Sequence, residues 1–156
     1  MIILGIDPGT VRVGYGVIEK NGGKLTHLES GLIKLPAENY EVRLVALEKN
    51  LKELLRKFRP DRVGLERLFF EKNRKTAIRV AEARGVILKT IVQNSIPLKE
   101  LNPKEVKLAV TGDGNASKDG VGKMVKYFLK LGSLKMLDDV SDALAIAIAA
   151  ASLERF

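Results

Sequence analysis

Ile2-Ile3-Leu4-Gly5-Ile6-Asp7-Pro8-Gly9 opens the chain, and its reading decides the fold. The run before Asp7 is nearly all apolar and rich in β-branched residues, the pattern of a strand buried on both faces. Pro8-Gly9 then stops the strand and turns the backbone. Asp7 is therefore a carboxylate at the end of a buried strand, which is costly unless a cation sits on it. The nature of that cation, and the residues that share it, become the central question.

Outward from this strand, Val11 to Glu19 and Lys24 to Leu35 read as two further strands. The turn Asn21-Gly22-Gly23 joins them, which predicts an antiparallel meander. Tyr40 to Phe58 reads as a helix, with Leu44, Leu47, Leu51, Leu54, Leu55 and Phe58 on one apolar stripe. Arg59-Pro60-Asp61 ends it. Arg62 to Glu66 reads as a short strand parallel to the first. A helix over 73–93 is expected to bury Ala77, Val80, Ala81, Leu88 and Ile91, and Gly85 inside it suggests close packing. A strand over 97–101 follows. Asn102-Pro103 then caps and starts a helix through about Val110. After the polar loop 111–117 come helices over 118–131 and 138–153, the latter apolar on all sides from Ala143 to Ala151. The predicted class is α/β: a mixed sheet with three antiparallel N-terminal strands, flanked by helices.

The chain has 156 residues, enough for one domain over 1–156 with a sizeable core. No stretch of 18 apolar residues exists, so no membrane span is expected. No charged leader precedes the first strand, and the expected compartment is the cytoplasm. The absence of cysteine excludes disulfides and thiolate metal sites. A net charge of +8 and a pI near 9.7 point to an anionic partner, of which nucleic acid is the commonest. Neither Ser117-Lys118 nor Gly122-Lys123 has the glycine spacing of a phosphate-binding loop.

Four carboxylates stand out. Asp7 and Glu66 each end a predicted strand, and parallel neighbouring strands would bring both to one sheet edge, where ligands bind in open α/β sheets. Asp139 and Asp142 open the last helix at i and i+3 and share a face; Asp138 and Asp142 at i and i+4 do so equally. Acids in a first helical turn also answer the helix macrodipole, and a strand-end glutamate can serve a salt bridge. Several carboxylates in one place repel one another, and a hard divalent cation relieves this. Mg²⁺ or Mn²⁺ suits an all-oxygen set, and the only histidine, His27, provides no pair for zinc. Two such ions about 4 Å apart activate a water and stabilise a leaving oxygen in phosphodiester hydrolysis.

Leu4-Gly5-Ile6-Asp7-Pro8-Gly9 with Gly14-Tyr15-Gly16, Leu65-Glu66 followed by Phe69, Ala83-Arg84-Gly85, and Asp139-Val140-Ser141-Asp142-Ala143-Leu144-Ala145-Ile146-Ala147 together resemble the RuvC-type Holliday-junction resolvases. These are endonucleases of the RNase H-like fold, and the resemblance runs in register along nearly the whole chain. It implies a catalytic and metal-binding tetrad of Asp7, Glu66, Asp139 and Asp142, holding two Mg²⁺ ions with Mn²⁺ as the alternative. It also implies DNA contacts through Lys107, Lys118 and Phe69, the last as an aromatic wedge between bases. A homodimer, a four-way DNA junction as substrate, and branch-migration proteins of the RuvA and RuvB type as partners follow from the same resemblance. The implied reaction is paired symmetric nicking that yields 5′-phosphate and 3′-hydroxyl ends. Rival readings are an RNase H-like nuclease acting on RNA or other branched DNA, and a non-catalytic junction-binding protein. A sugar kinase or actin-like fragment also opens with a strand and an Asp-x-Gly turn, but such proteins need two domains of this kind.

Overall fold

In a computed structural model the protein is described over residues 1–9, 11–36, 39–67 and 74–153. Five strands, β1 (Ile2–Asp7), β2 (Arg12–Asn21), β3 (Lys24–Lys34), β4 (Arg62–Glu66) and β5 (Leu98–Leu101), form one sheet in the order β3-β2-β1-β4-β5. β2 runs antiparallel to both β1 and β3, whereas β4 runs parallel to β1 and β5 parallel to β4. The helices are α1 (Tyr40–Phe58), α2 (Arg74–Gln93), α3 (Pro103–Thr111), α4 (Lys118–Leu129) and α5 (Asp138–Ser152). The mixed sheet and its antiparallel half are as expected from the sequence.

Strand alternation divides the molecule into two cores. Leu4, Ile6, Val13, Val17, Val63 and Leu65 face α1 and α2. Ile3 belongs to the core on the other face, formed with α3, α4 and α5. Gly5 and Asp7 share the parity of Ile3, as Gly64 and Glu66 share one parity in β4, so both acids point toward α5. Asp61 fixes the alignment: its Oδ2 accepts from the Ile2 N–H at 2.6 Å, and its own N–H donates to the Ile2 carbonyl at 2.8 Å. The resulting register pairs Ile6 with Leu65, and Asp7 and Glu66 emerge together one residue later.

Helix α5 lies directly on the sheet because glycines line the strands beneath it. A Cβ at Gly5 would stand 2.1 Å from the Ala143 carbonyl oxygen, and one at Gly14 would stand 2.1 Å from that of Asp139. A Cβ at Gly16 would meet the Leu144 side chain at 2.6 Å, and one at Gly64 the Ala150 Cβ at 2.9 Å. Leu144, Ile146 and Ile148 are almost fully buried, each by at least 98%. Together they contribute roughly 5–9 kcal/mol at about 1.5–3 kcal/mol per side chain. That exceeds the few kcal/mol of repulsion at the carboxylate end, so α5 stays in place and carries its acids to the sheet edge.

The α2 reading needs correction. Its buried side is formed by Ala83, Ile87, Thr90 and Ile91, while Leu88 is half-buried. A Cβ at Gly85 meets nothing within 4 Å among the described residues, so no close packing at Gly85 is found among them. Ile78, Ala81, Gly85, Leu88 and Val92 form a second stripe at spacings of three and four, with Ile78 and Val92 exposed. The helix has two apolar faces, which a single-face reading had merged. The expected first residue of this helix, Asn73, lies outside the described residues.

Candidate active site

Asp7 sits at the end of β1 with its carboxyl among acids. Burial is the main reason that its pKa is pushed up, to about 8, followed by the charges of Glu66, Asp142 and Asp139 and a hydrogen bond with Glu66. Glu66 is also raised, by burial first and then by Asp142. Left without a cation, both strand-end acids are held above the usual carboxylate range, and the pair favours retaining a proton. No lysine or arginine pairs with Asp7 among the described residues.

The acids of α5 are paired with basic residues. Arg12 Nε stands 2.5 Å from Asp139 Oδ2. The contact is ionic without an aligned N–H, since that oxygen is buried with no hydrogen-bond partner. Lys118 Nζ lies 3.0 Å from Asp142 Oδ2 and 3.2 Å from Asp138 Oδ2. Burial opposes the charge on Lys118, but the two carboxylates outweigh it and raise its pKa. Lys118 follows the N-cap Ser117 and so occupies the positive end of α4, an unfavourable place for a cation. The carboxylates of α5 explain why it is tolerated there.

Asp138 and Asp139 differ sharply in setting. The Asp138 side chain is 78% exposed, whereas that of Asp139 is 30% exposed and acts on Asp7. Lys107 and Lys118 line a cavity of about 240 Å³ together with Glu66 and Asp142, walled by Val106 and Ile146. The structure thus gathers Asp7, Glu66, Asp139, Asp142, Lys107 and Lys118 at one sheet edge. Phe69 lies outside the described residues, as does Phe70.

Two residues were missed from sequence. Arg12 has the same strand parity as Gly14 and Gly16, and this could have marked it as facing α5. Arg84, in the Ala83-Arg84-Gly85 motif, pairs with Glu100 at 2.6 Å and donates to the Glu66 carbonyl at 3.4 Å. It ties α2 to the end of β4, a positioning contact.

These side chains fit a divalent cation. The donors are all oxygen, one of them buried without a hydrogen bond, and burial together with the neighbouring carboxylates disfavours the charge on Asp7. Among the described residues no three acids stand close enough to form a metal cluster, and Asp139 and Asp142 are paired with Arg12 and Lys118.

A mixed five-stranded sheet with acids at the ends of its first and fourth strands, crossed by an acid-bearing helix, defines a nuclease of the RNase H-like class. Residues 3–150 match the family described as RuvC, crossover junction endodeoxyribonuclease. The crossover junction endodeoxyribonuclease RuvC of Brachyspira hyodysenteriae is 48% identical over 99% of this chain and 96% of its own. That of Thermosipho melanesiensis is 46% identical over the full length of both. The structure of Thermus thermophilus RuvC in complex with a Holliday junction substrate covers 97% of this chain and 93% of its own, at 33% identity and a TM-score of 0.90. The chain belongs to the RuvC family, a family of metal-dependent endonucleases. Among the described residues no helix is long and apolar enough to cross a membrane.

Proposed function

We propose that this protein resolves Holliday junctions by paired nicks, with Asp7, Glu66, Asp139 and Asp142 as its catalytic and metal-holding residues. The observation that carries the reading is Asp7: a partly buried acid beside Glu66, Asp139 and Asp142, with no basic side chain paired to it among the described residues, whose proton a divalent cation would replace. Bound Mg²⁺, two ions in our reading, supplies charge to activate a water and to stabilise the leaving oxygen. Mn²⁺ meets the same donor preference.

The chain's own groups do the rest. Asp7 and Glu66 are presented rigidly by adjacent strands, and Asp139 and Asp142 by α5, so the set needs little reorganisation. Arg12 and Lys118 leave their acids as the cation enters. Lys118 and Lys107 are then placed to contact phosphate oxygens, which positions the strand without reading its bases. The water oxygen bonds to phosphorus as the P–O3′ bond breaks, leaving a 5′-phosphate and a 3′-hydroxyl. Phe69 acts at the parted bases in this reading. The relatives are crossover junction enzymes, and this favours DNA junctions over RNA or plain duplex.

The decisive measurement is cutting of a synthetic four-way junction in Mg²⁺, beside a linear duplex and an RNA hairpin. Symmetric nicks in the junction alone are expected. Asp139→Asn should lower the rate by about 10²-fold or more, and Asp138→Asn by less than about threefold. Equal losses would overturn the choice of Asp139.

A homodimer matches the twofold character of a junction. The stripe of Ile78, Ala81, Gly85, Leu88 and Val92 on α2, exposed at Ile78, Gly85 and Val92, supports a helix pair across that axis. Gly85→Arg should give monomers by sedimentation and uncouple the two nicks; a dimer that survives it places the interface elsewhere. Action beside RuvA- and RuvB-type proteins and a cytoplasmic location complete the proposal.

A further inference from the structure

A second basic site lies at the opposite end of the sheet. A cavity of about 1040 Å³ opens between the β2–β3 hairpin and the C-terminal ends of α4 and α5. Lys20, Lys24, Lys123, Lys126 and Lys130 line it, and no acidic side chain does among the described residues. Lys20 is engaged with the Ala151 carbonyl at 2.7 Å and Lys123 with Asp119 at 2.6 Å. Lys24, Lys126 and Lys130 have no ion pair among the described residues. The floor is apolar, formed by Leu25, Ile148 and Ala151. Tyr127 is 74% exposed at its rim and meets the Phe128 ring edge-on, with centroids 5.8 Å apart.

Large exposed aromatics within a ring of lysines need a partner that is both flat and anionic. A closed duplex offers phosphates to the rim but nothing to the aromatics or the floor. An unpaired strand offers both, since every base has a π-face to stack while its phosphates follow the lysines. The groove and the active site are separate cavities joined by α4, which borders both. Lys118 stands at the carboxylates at the start of α4, while Lys123 and Lys126 at i and i+3 and the C-cap Lys130 line the groove at its other end. Twelve residues at 1.5 Å each make about 18 Å, or about five nucleotide steps of duplex rise.

The geometry points to this groove as a second DNA site that captures an unpaired strand adjoining the cleavage site. The inference rests on reading the protein as a DNA nuclease. It makes the enzyme favour junctions that carry a single-stranded gap or tail next to the crossover.

The test is fluorescence anisotropy with labelled (dT)₁₀ over a range of salt, in EDTA so that nothing is cut. Tyr127→Ala should weaken (dT)₁₀ binding by about 5- to 100-fold. Lys126→Gln with Lys130→Gln should lower the salt slope by about 1.4, at about 0.7 for each lost phosphate contact. Wild type should bind a gapped junction more tightly than a fully paired one, and both variants should lose that preference. Circular dichroism checks that these surface changes leave the fold intact. Unchanged (dT)₁₀ affinity and salt slope would overturn the proposal. A phenylalanine-containing acidic peptide that binds through Tyr127, while DNA does not, would overturn it in favour of protein docking. Failure of the wild type to cut a junction would instead refute the junction reading, because oligonucleotide binding is measured separately.

Discussion

Asp7→Asn is expected to silence junction cutting by about 10³-fold or more while leaving junction binding in place, and to stabilise the metal-free protein. Asparagine keeps the shape of the strand end and removes the charge that the divalent cation requires. The stability gain follows from the raised pKa. Below pH 3.8 the carboxyl is protonated in both folded and unfolded chains and costs nothing. Between 3.8 and about 8 the unfolded chain ionises while the folded site retains its proton. Stability is therefore lost as pH rises through that window, opposite to an acid held by a salt bridge. Even after much of the shift is relaxed by water entry, a gain of ~2 kcal/mol at pH 8 is expected for Asp7→Asn, about 4–8 °C in Tm. Thermal melts in EDTA at pH 5 and pH 8 measure it. A variant less stable than wild type at pH 8, or one that still cuts, would refute the assignment of Asp7.

Gly5→Ala should damage the fold more than any other single added methyl group discussed here. Its Cβ would meet two backbone atoms of α5, the Ala143 carbonyl oxygen at 2.1 Å and the Ala147 nitrogen at 2.5 Å. Neither can rotate away, so the helix must lift along its most buried stretch. A loss of about 3 kcal/mol or more is expected, about 6–12 °C in Tm. Gly14→Ala presses instead on the Asp139 carbonyl at 2.1 Å, in the first turn of α5, where the helix end can shift. It should cost less stability, about 1–2 kcal/mol, yet cut as poorly as Asp139→Asn. Denaturant melts beside junction cutting separate the two effects. Equal stability losses would show that α5 moves as one body.

Much of this was legible in the chain. The apolar run before Asp7, the Asn21-Gly22-Gly23 turn and the leucine stripe of α1 are local signals, and the elements form where those signals place them. Asn102 caps α3 as read, its side chain accepting from the Glu105 N–H at 2.9 Å while Glu105 answers the Asn102 N–H at 2.7 Å. Such features depend on residues a few positions apart. The α2 reading failed because one helix carries two apolar stripes, and periodicity alone cannot say which meets the sheet.

By itself, then, the sequence determined the elements, the α/β class, the family resemblance and four acids worth gathering. The tertiary structure decided their company: Asp7 beside Glu66, Arg12 on Asp139, and Lys118 on Asp142. Those pairings depend on strand order, on the register held by Asp61, and on how near the glycines of β1 and β2 let α5 approach. Such distances are set between segments far apart in the chain, where local propensity carries no information.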